Sequence, residues 1–257
     1  MYYITKVEKV IKEGEGLTTI RFRSPFAAYP GQFVMLWLPG VDSIPMSLSY
    51  LGDLKGVTSK SIGDATRKIE GLKVGDIIGI DGPLGNHFKI RGKKILVVAG
   101  GSGIASVITL IEYAKSLGKE VHVIFGAKTK REVIFEERIK NNSDGCIITT
   151  DDGSYGKKGT TIEALPEILG KGFDEIITCG PEVMMKKLFE ISLQNNILFQ
   201  ASIERVMKCG HGICDSCSFG GFLVCKDGPI FTEMDLINNE EFGKSRLDRS
   251  GKRVFLK

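Results

Sequence analysis

KKILVVAGGSGIASVITLIEYAKSLG, residues 93–118, reads as a buried strand, a glycine turn and an amphipathic helix that stops at Gly118. A short, continuous apolar run that enters a helix through Gly100-Gly101-Ser102-Gly103 is the opening unit of a parallel sheet. Downstream the alternation continues. EVHVIFGA (120–127) and CIITTDD (146–152) read as strands, TIEALPEIL (161–169) as a helix, DEIITCG (174–180) as a strand and EVMMKKLFEISLQNN (182–196) as a helix. Strands alternating with helices make a doubly wound parallel sheet, which binds ligands at the carboxyl edge of its strands.

Upstream of Lys93 the pattern is different. Stretches 2–14, 17–24, 32–40, 46–51, 56–63 and 76–82 are rich in β-branched and aromatic residues and are separated by Gly, Pro, Asp and Asn. Regular strands at that spacing predict an antiparallel barrel, interrupted by one helix over 65–72. GPLGNHF (82–88) reads as the barrel-closing turn, with His87 a surface or packing residue. The division expected is a barrel over 1–91, the α/β unit over 92–198, and a C-terminal subdomain and tail over 199–257.

That last segment holds four of the chain's six cysteines, in KCGHGICDSCSFGGFLVCKDG (208–228). Cys209, Cys214, Cys217 and Cys225 are spaced C-x4-C-x2-C-x7-C, whose first three members match the plant-type arrangement for a 2Fe-2S cluster. Zinc is the competing ligand. Structural zinc sites usually show two C-x2-C pairs, and here Cys214 and Cys217 form one such pair. Gly210 and Gly212 let peptide N–H groups turn toward sulfur, which favours the cluster. His211 and Asp215, between the ligands, read as solvent-facing.

Bulk properties exclude other classes. A net charge of +4 is too small to argue for nucleic acid, and the basic tail (Lys244, Arg246, Arg249, Lys252, Arg253) reads as solvated or docked on a partner. The N-terminus shows no apolar stretch of signal-peptide length, and apolar runs such as ILVVAG are far shorter than a bilayer span. A cytoplasmic protein, with no membrane partner, is expected. In that reducing compartment clustered thiols ligate metal more often than they form disulfides.

The glycine turn suits a pyrophosphate, through backbone amides and the helix dipole. It is neither a full G-x-G-x-x-G, since Ser106 stands at the last glycine position, nor a Walker loop. Cys179-Gly180-Pro181 ends another strand of the same sheet, and TTDDGSYGKKG (149–159) reads either as a ribose contact or as a solvated loop. In the barrel, Pro45-Met46-Ser47-Leu48-Ser49 begins a strand and Gly63-Asp64-Ala65-Thr66 precedes a helix. Both suit a flavin or its phosphates, and equally suit ordinary strand and cap chemistry.

Together ERVMKCGHGICDSCSF, VCKDGPIF, TTDDGSYGKKG, TCGPEVMM, VAGGSGIAS and GQFVMLWLPG resemble the electron transfer subunits of NAD-dependent (class 1B) dihydroorotate dehydrogenases, within the ferredoxin–NADP reductase superfamily. The resemblance spans nearly the whole chain. It implies FAD in the barrel, NAD(H) on the sheet and a 2Fe-2S cluster on Cys209, Cys214, Cys217 and Cys225. It further implies that Pro45, Met46, Ser47 and Leu48 line the flavin ring, that Gly63 and Thr66 hold its phosphates, that Gly101 and Gly103 face the nicotinamide nucleotide, and that Cys179 and Gly180 lie near its ring. The implied partner is an FMN-containing catalytic subunit in a heterotetramer of two plus two. Two departures stand out: Ile44 occupies the place of an arginine that pairs with flavin phosphate, and the Cys217–Cys225 loop is short for the family.

The implied activity is electron transfer in pyrimidine biosynthesis. Nicotinamide exchanges hydride, an iron–sulfur centre passes single electrons, and a flavin does both. No base-bearing loop beside a substrate pocket suggests dihydroorotate oxidation on this chain. The rival readings are a reductase subunit of a hydrogenase or of a ferredoxin–NADP bifurcating complex, and a zinc-stabilised binding module. Lys128, Lys130 and Arg131, after the second strand of the sheet, leave NADP open beside NAD.

Overall fold

The computed structural model describes residues 2–256. Six strands close into an antiparallel barrel: β1 (Tyr3–Gly14), β2 (Leu17–Arg23), β3 (Phe33–Leu38), β4 (Asp42–Tyr50), β5 (Leu54–Lys60) and β6 (Ile77–Leu84), in the order β1-β2-β5-β4-β3-β6. Alternation along β3 sends Val34, Leu36 and Leu38 inward against Ile20, Phe22, Val57, Ile78 and Ile80. Helix α1 (Asp64–Glu70) adds Ala65 and Ile69 to this core. The opposite face of β3 presents Phe33 and Met35, which are also buried, but in the core that contains Cys217 and Cys225. Residues 82–84 continue β6, with Leu84 opposite Phe33, rather than forming a closing turn.

Strand β4 starts earlier than the expected 46–51 and places Pro45 opposite Met35 of β3. Its pairing with β5 begins only at Leu48. Proline has no N–H to give a ladder, so it is tolerated on a flank without strand pairing. That flank forms one wall of a cleft.

The second layer is a seven-stranded sheet. Its strands are β7 (Lys94–Gly100), β8 (Glu120–Ala127), β9 (Gly145–Thr150), β10 (Lys157–Lys158), β11 (Glu175–Cys179) and β12 (Leu198–Ser202), joined by one strand from the cysteine-bearing segment. That segment contains a small hairpin, β13 (Ser218–Phe219) with β14 (Phe222–Leu223), then β15 (Ile230–Thr232), which pairs antiparallel with β12 at the sheet edge. The sheet order is β10-β9-β8-β7-β11-β12-β15. Alternate residues of β7 explain the double winding. Ile95, Val97 and Ala99 join the core of α2 (Ile104–Ser116), whereas Leu96 and Val98 join that of a helix on the other face, Glu182–Gln194. The helix expected over 161–169 is two short pieces, Thr161–Ala164 and Pro166–Leu169. Pro166 opens the second, where its missing N–H costs nothing.

Barrel and sheet are locked at named points. Tyr50 lies between the guanidinium groups of Arg21 and Arg138, 3.9 and 4.0 Å from its ring centre. Arg138 also donates to the Ser49 carbonyl (3.0 Å) and pairs with Glu112 (2.8 Å). Asn86, after β6, donates to the carbonyls of Asp227 (3.0 Å) and Ile230 (2.8 Å) and accepts from the Ile230 amide (2.9 Å). The cysteine segment is thereby tied to the barrel as well as to the sheet. Among the described residues no helix is long and apolar enough to cross a membrane.

Candidate functional site

Strands β7 and β11 are parallel neighbours, with Ala99 opposite Cys179. Strands β8 and β9 lie to one side of this pair and β12 to the other. The turns after β7 and β11 therefore share the crevice where the winding reverses, the usual ligand position in such sheets. Gly101, Gly103, Cys179 and Gly180 come together here. A Cβ on Gly103 would lie 2.5 Å from the Cys179 carbonyl oxygen, so only glycine lets the two turns touch. Gly103→Ala is expected to lower stability by about 1–3 kcal/mol and to raise the KM for NADH while flavin and iron contents stay unchanged. Thermal melts with NADH titrations check this; an unaltered KM would show that the contact is packing alone.

Cys179 is fully buried, and burial, with Glu204 beside it, pushes its thiol up to about 12. The thiol is therefore neutral, and its sulfur lies 4.0 Å from Glu204 Oε1. Glu204 follows β12. It is exposed to the cleft that it lines, and desolvation by the surrounding protein raises its carboxyl above the ordinary range; Arg246 opposes the rise and Glu182 adds to it.

The cleft between barrel and sheet has a volume of about 840 Å³, within the range of roughly 300–1,000 Å³ of small-molecule sites. Pro45, Met46 and Ser47 line it from β4, and Gly63 and Thr66 from the start of α1. Leu48 does not: one residue on, its side chain turns into the barrel core and is 1% exposed. The Thr66 hydroxyl accepts from the amides of Ile62 and Gly63 (2.9 Å each) and donates to the Gly63 carbonyl (3.0 Å), so it braces the turn before α1. The Ser106 hydroxyl, on α2, donates to that of Ser47 (3.0 Å) and joins the two walls. Ser59 also lines the cleft, and its buried hydroxyl has no partner among the described residues. A polar ligand is what such a group requires. The cleft thus fits a flavin in size and donor chemistry.

Ile44 is part of the same wall. Sequence reading missed Ser59, Ser106 and Glu204, along with the contribution of residues 246–249 and 254 to this cleft. Glu204 and Ser106 had a local signal, their places in the ERVMKCG and VAGGSGIAS stretches.

Met207 and Lys208 line the cleft, and Cys209 is the next residue. Gly210 (φ +75°) presses against β3, where a Cβ would lie 2.7 Å from Met35 Cγ. Cys217 and Cys225 are buried, Cys209 is half-buried and Cys214 is exposed. Backbone amides point at sulfur: His211 N to Cys209 Sγ at 3.3 Å, Gly212 N to Cys225 Sγ at 3.1 Å and Cys225 N to Cys217 Sγ at 3.4 Å. At Cys209 burial favours the thiol, but amides of Ile213, His211 and Cys214 outweigh it and bring the pKa down to about 6. Cys225 goes the other way, to about 12, through burial and its neighbour Cys217. Amide-solvated sulfurs on a glycine-hinged loop fit thiolate ligation of an iron–sulfur cluster. Among the described residues no three His, Cys, Asp or Glu side chains converge as a ready metal site. His211 is half-exposed and bonded to Asp81 at 2.8 Å, which pins the loop to β6.

The 149–159 loop is held by its own bonds: the Thr150 hydroxyl donates to the Tyr155 carbonyl (2.7 Å), and Asp152 accepts the Ser154 amide (2.9 Å). The Lys130 amide donates to the Ser154 hydroxyl (2.8 Å), and Arg131 pairs with Glu15 at 3.5 Å.

Residues 204–237 match the iron–sulfur cluster binding domain of dihydroorotate dehydrogenase B, and residues 97–189 the oxidoreductase NAD-binding domain. A probable dihydroorotate dehydrogenase B (NAD(+)) electron transfer subunit of Methanocaldococcus jannaschii is 45% identical over 98% of each chain. That of Thermoplasma volcanium is 43% identical over 98% of this chain and 97% of its own. The solved structure of an NADH-dependent reduced ferredoxin–NADP oxidoreductase superposes with a TM-score of 0.82 at 28% identity, covering 91% of this chain and 89% of that one. An Amycolatopsis cytochrome P450 reductase shares the fold, with a TM-score of 0.66 at 18% identity over 77% of this chain and 68% of that one.

Proposed function

This chain belongs to the family of dihydroorotate dehydrogenase B electron transfer subunits, and we propose that it links NAD(H) to an FMN-containing catalytic subunit, two copies of each forming the cytoplasmic complex. It is an oxidoreductase subunit of pyrimidine biosynthesis, with FAD, a 2Fe-2S cluster and NAD(H) as its redox groups. When bound, these groups supply the conversion between hydride and single-electron transfer that no side chain performs.

The observation that carries this reading is the junction at Met207, Lys208 and Cys209. Two consecutive residues wall the flavin cleft and the third is a cluster ligand in the proposal, so both sites share one stretch of backbone. Consecutive Cα atoms are about 3.8 Å apart, which keeps the wall between the two sites thin. Phe33 strengthens the argument, since it lines the cleft and also packs in the core that holds Cys217 and Cys225.

Position supports the residue roles in this proposal. Pro45, Met46 and Ser47 shape the wall against the flavin ring, with Leu48 supporting it from within the barrel. Gly63 and Thr66 hold the turn that faces the flavin phosphates. Gly101 and Gly103 admit the nicotinamide nucleotide close to the backbone, and Cys179 and Gly180 form the floor beneath its ring. Cys209, Cys214, Cys217 and Cys225 hold the cluster. Residues 1–91, 92–198 and 199–257 are then the flavin, nucleotide and cluster units in this reading, except that β12 carries the nucleotide sheet past the expected boundary to Ser202, and β15 fastens the third unit to the second.

The purified single chain is expected to oxidise NADH with an artificial acceptor and to leave dihydroorotate untouched, while the native chain brings down a dihydroorotate-oxidising polypeptide. Dihydroorotate turnover by the isolated chain contradicts the proposal. Kinship with the ferredoxin–NADP oxidoreductase supports a second reading, a reductase subunit of a ferredoxin-linked complex. Co-purification of that partner instead would decide for it.

A further inference from the structure

The last element is a two-stranded hairpin, β16 (Ser245–Leu247) with β17 (Arg253–Phe255), which pairs with no other strand among the described residues. Its turn is built by Asp248, whose carboxylate accepts the amides of Ser250 (2.8 Å) and Lys252 (3.0 Å). The hairpin is anchored by Arg253, which pairs with Glu241 (2.6 Å), and by the Ser245 carbonyl, which accepts from Arg205 (3.4 Å). Held this way, Arg246, Leu247, Arg249 and Val254 line the cleft assigned to the flavin.

FAD brings a doubly charged pyrophosphate into that cleft, and a site with low-dielectric walls must supply cations for it. The barrel wall offers little. Ile44 is apolar, and Lys60 is engaged with Glu132 at 2.6 Å. Arg205 is buried and committed to Glu182 at 2.6 Å. Three lining cations remain whose side chains make no hydrogen bond among the described residues, Lys208, Arg246 and Arg249, although Arg246 also acts on the Glu204 carboxyl of the same cleft and holds it down. Two of them stand on the hairpin, exposed to the cleft, next to the apolar side chains Leu247 and Val254.

We propose that this hairpin is the cationic wall of the flavin cleft, and that Arg246 and Arg249 neutralise the FAD pyrophosphate in place of the barrel position occupied by Ile44. The assignment rests on the flavin reading of the cleft. Arginine suits the task because its fork presents several donors to phosphate oxygens and is always charged. Leu247 and Val254 add an apolar surface, so the hairpin holds both the charged and the uncharged part of one ligand.

The test is FAD release from the intact holoprotein, followed as the rise of free-flavin fluorescence after dilution at a series of salt concentrations. The double variant Arg246→Gln/Arg249→Gln is expected to release FAD at least roughly tenfold faster, since a charge-assisted contact of ordinary strength is worth that much. Its release rate should also lose most of its dependence on salt. Arg246→Lys/Arg249→Lys, which keeps both charges, is expected to stay near the wild type. Arg249→Gln alone alters an exposed turn residue and serves should the double variant not fold; it is expected to show a smaller shift in the same direction. Unchanged release and salt dependence in a folded glutamine variant would overturn the proposal, as would equally fast release by the lysine pair. A wild-type protein isolated without any FAD would instead overturn the flavin reading itself.

Discussion

Cys217→Ala is expected to leave the protein without iron and acid-labile sulfide, and without transfer to its catalytic partner, while NADH oxidation by an artificial acceptor survives. Cys217 is 2% exposed, and its sulfur accepts the Cys225 amide at 3.4 Å. Removing groups that merely orient metal ligands costs roughly 10–100-fold in affinity, so deleting a ligand costs more. The flavin and nucleotide sites proposed above lie on other elements, β4, α1 and the two glycine turns, which is why the first half of the path is expected to persist. Cys217 also packs in the core with Phe219 and Phe231. Cys214→Ser serves as the companion because Cys214 is exposed and its loss leaves that core intact. Iron analysis and the visible spectrum of both variants provide the readout. Full iron content in either folded variant would remove that cysteine from the ligand set.

The second large effect lies far from any redox group. Glu175→Ala is expected to destabilise the fold by about 3–5 kcal/mol, the usual result of stripping one partner from a buried charge network. Glu175 is 0% exposed and accepts four bonds: from the Arg91 amide (2.9 Å), the Gly92 amide (3.1 Å), Gln200 Nε2 (2.7 Å) and Arg91 Nε (3.1 Å). Arg91 and Gly92 are the joint between barrel and sheet, so the loss loosens both together. For a chain of this size each kcal/mol lowers Tm by about 2–4 °C, which places the melting shift near 10 °C. A shift below a few degrees would mean the network is replaceable by water.

Glu233 completes this network, bidentate on Arg91 at 2.8 Å and accepting the Phe199 amide at 3.0 Å. Burial pushes its carboxyl up, but the bonds from Arg91 and Phe199 outweigh that and hold it below the ordinary range. A lowered folded-state value stabilises the protein above the unfolded pKa of about 4.3, and that share is lost as pH falls through the folded value. Glu233→Gln should therefore flatten the acid limb of stability against pH without altering its neutral plateau shape.

Much of this architecture was legible in the order of residues. Apolar periodicity located the barrel strands and the alternating strands and helices, because each element must bury one face wherever it packs. Cysteine spacing located the cluster loop, since ligands of one small group have to come from a short stretch. Strand parity even held the placement of Leu48, one residue beyond Ser47 and hence on the opposite face, although motif resemblance had grouped the two.

The remainder depends on residues distant in the chain. Glu204 meets Cys179, Ser106 meets Ser47, and Arg91 meets Glu175 and Glu233 across separations of 25, 59, 84 and 142 residues. Nothing in the local pattern around Arg246 or Arg249 distinguishes a solvated tail from the wall of a cleft. Spacing and periodicity settle which chemistry the chain can hold, because they act within a few residues. Which side chains complete each site is assigned by packing between the barrel, the sheet and the cysteine segment, because contacts across such separations exist only once those three are folded together.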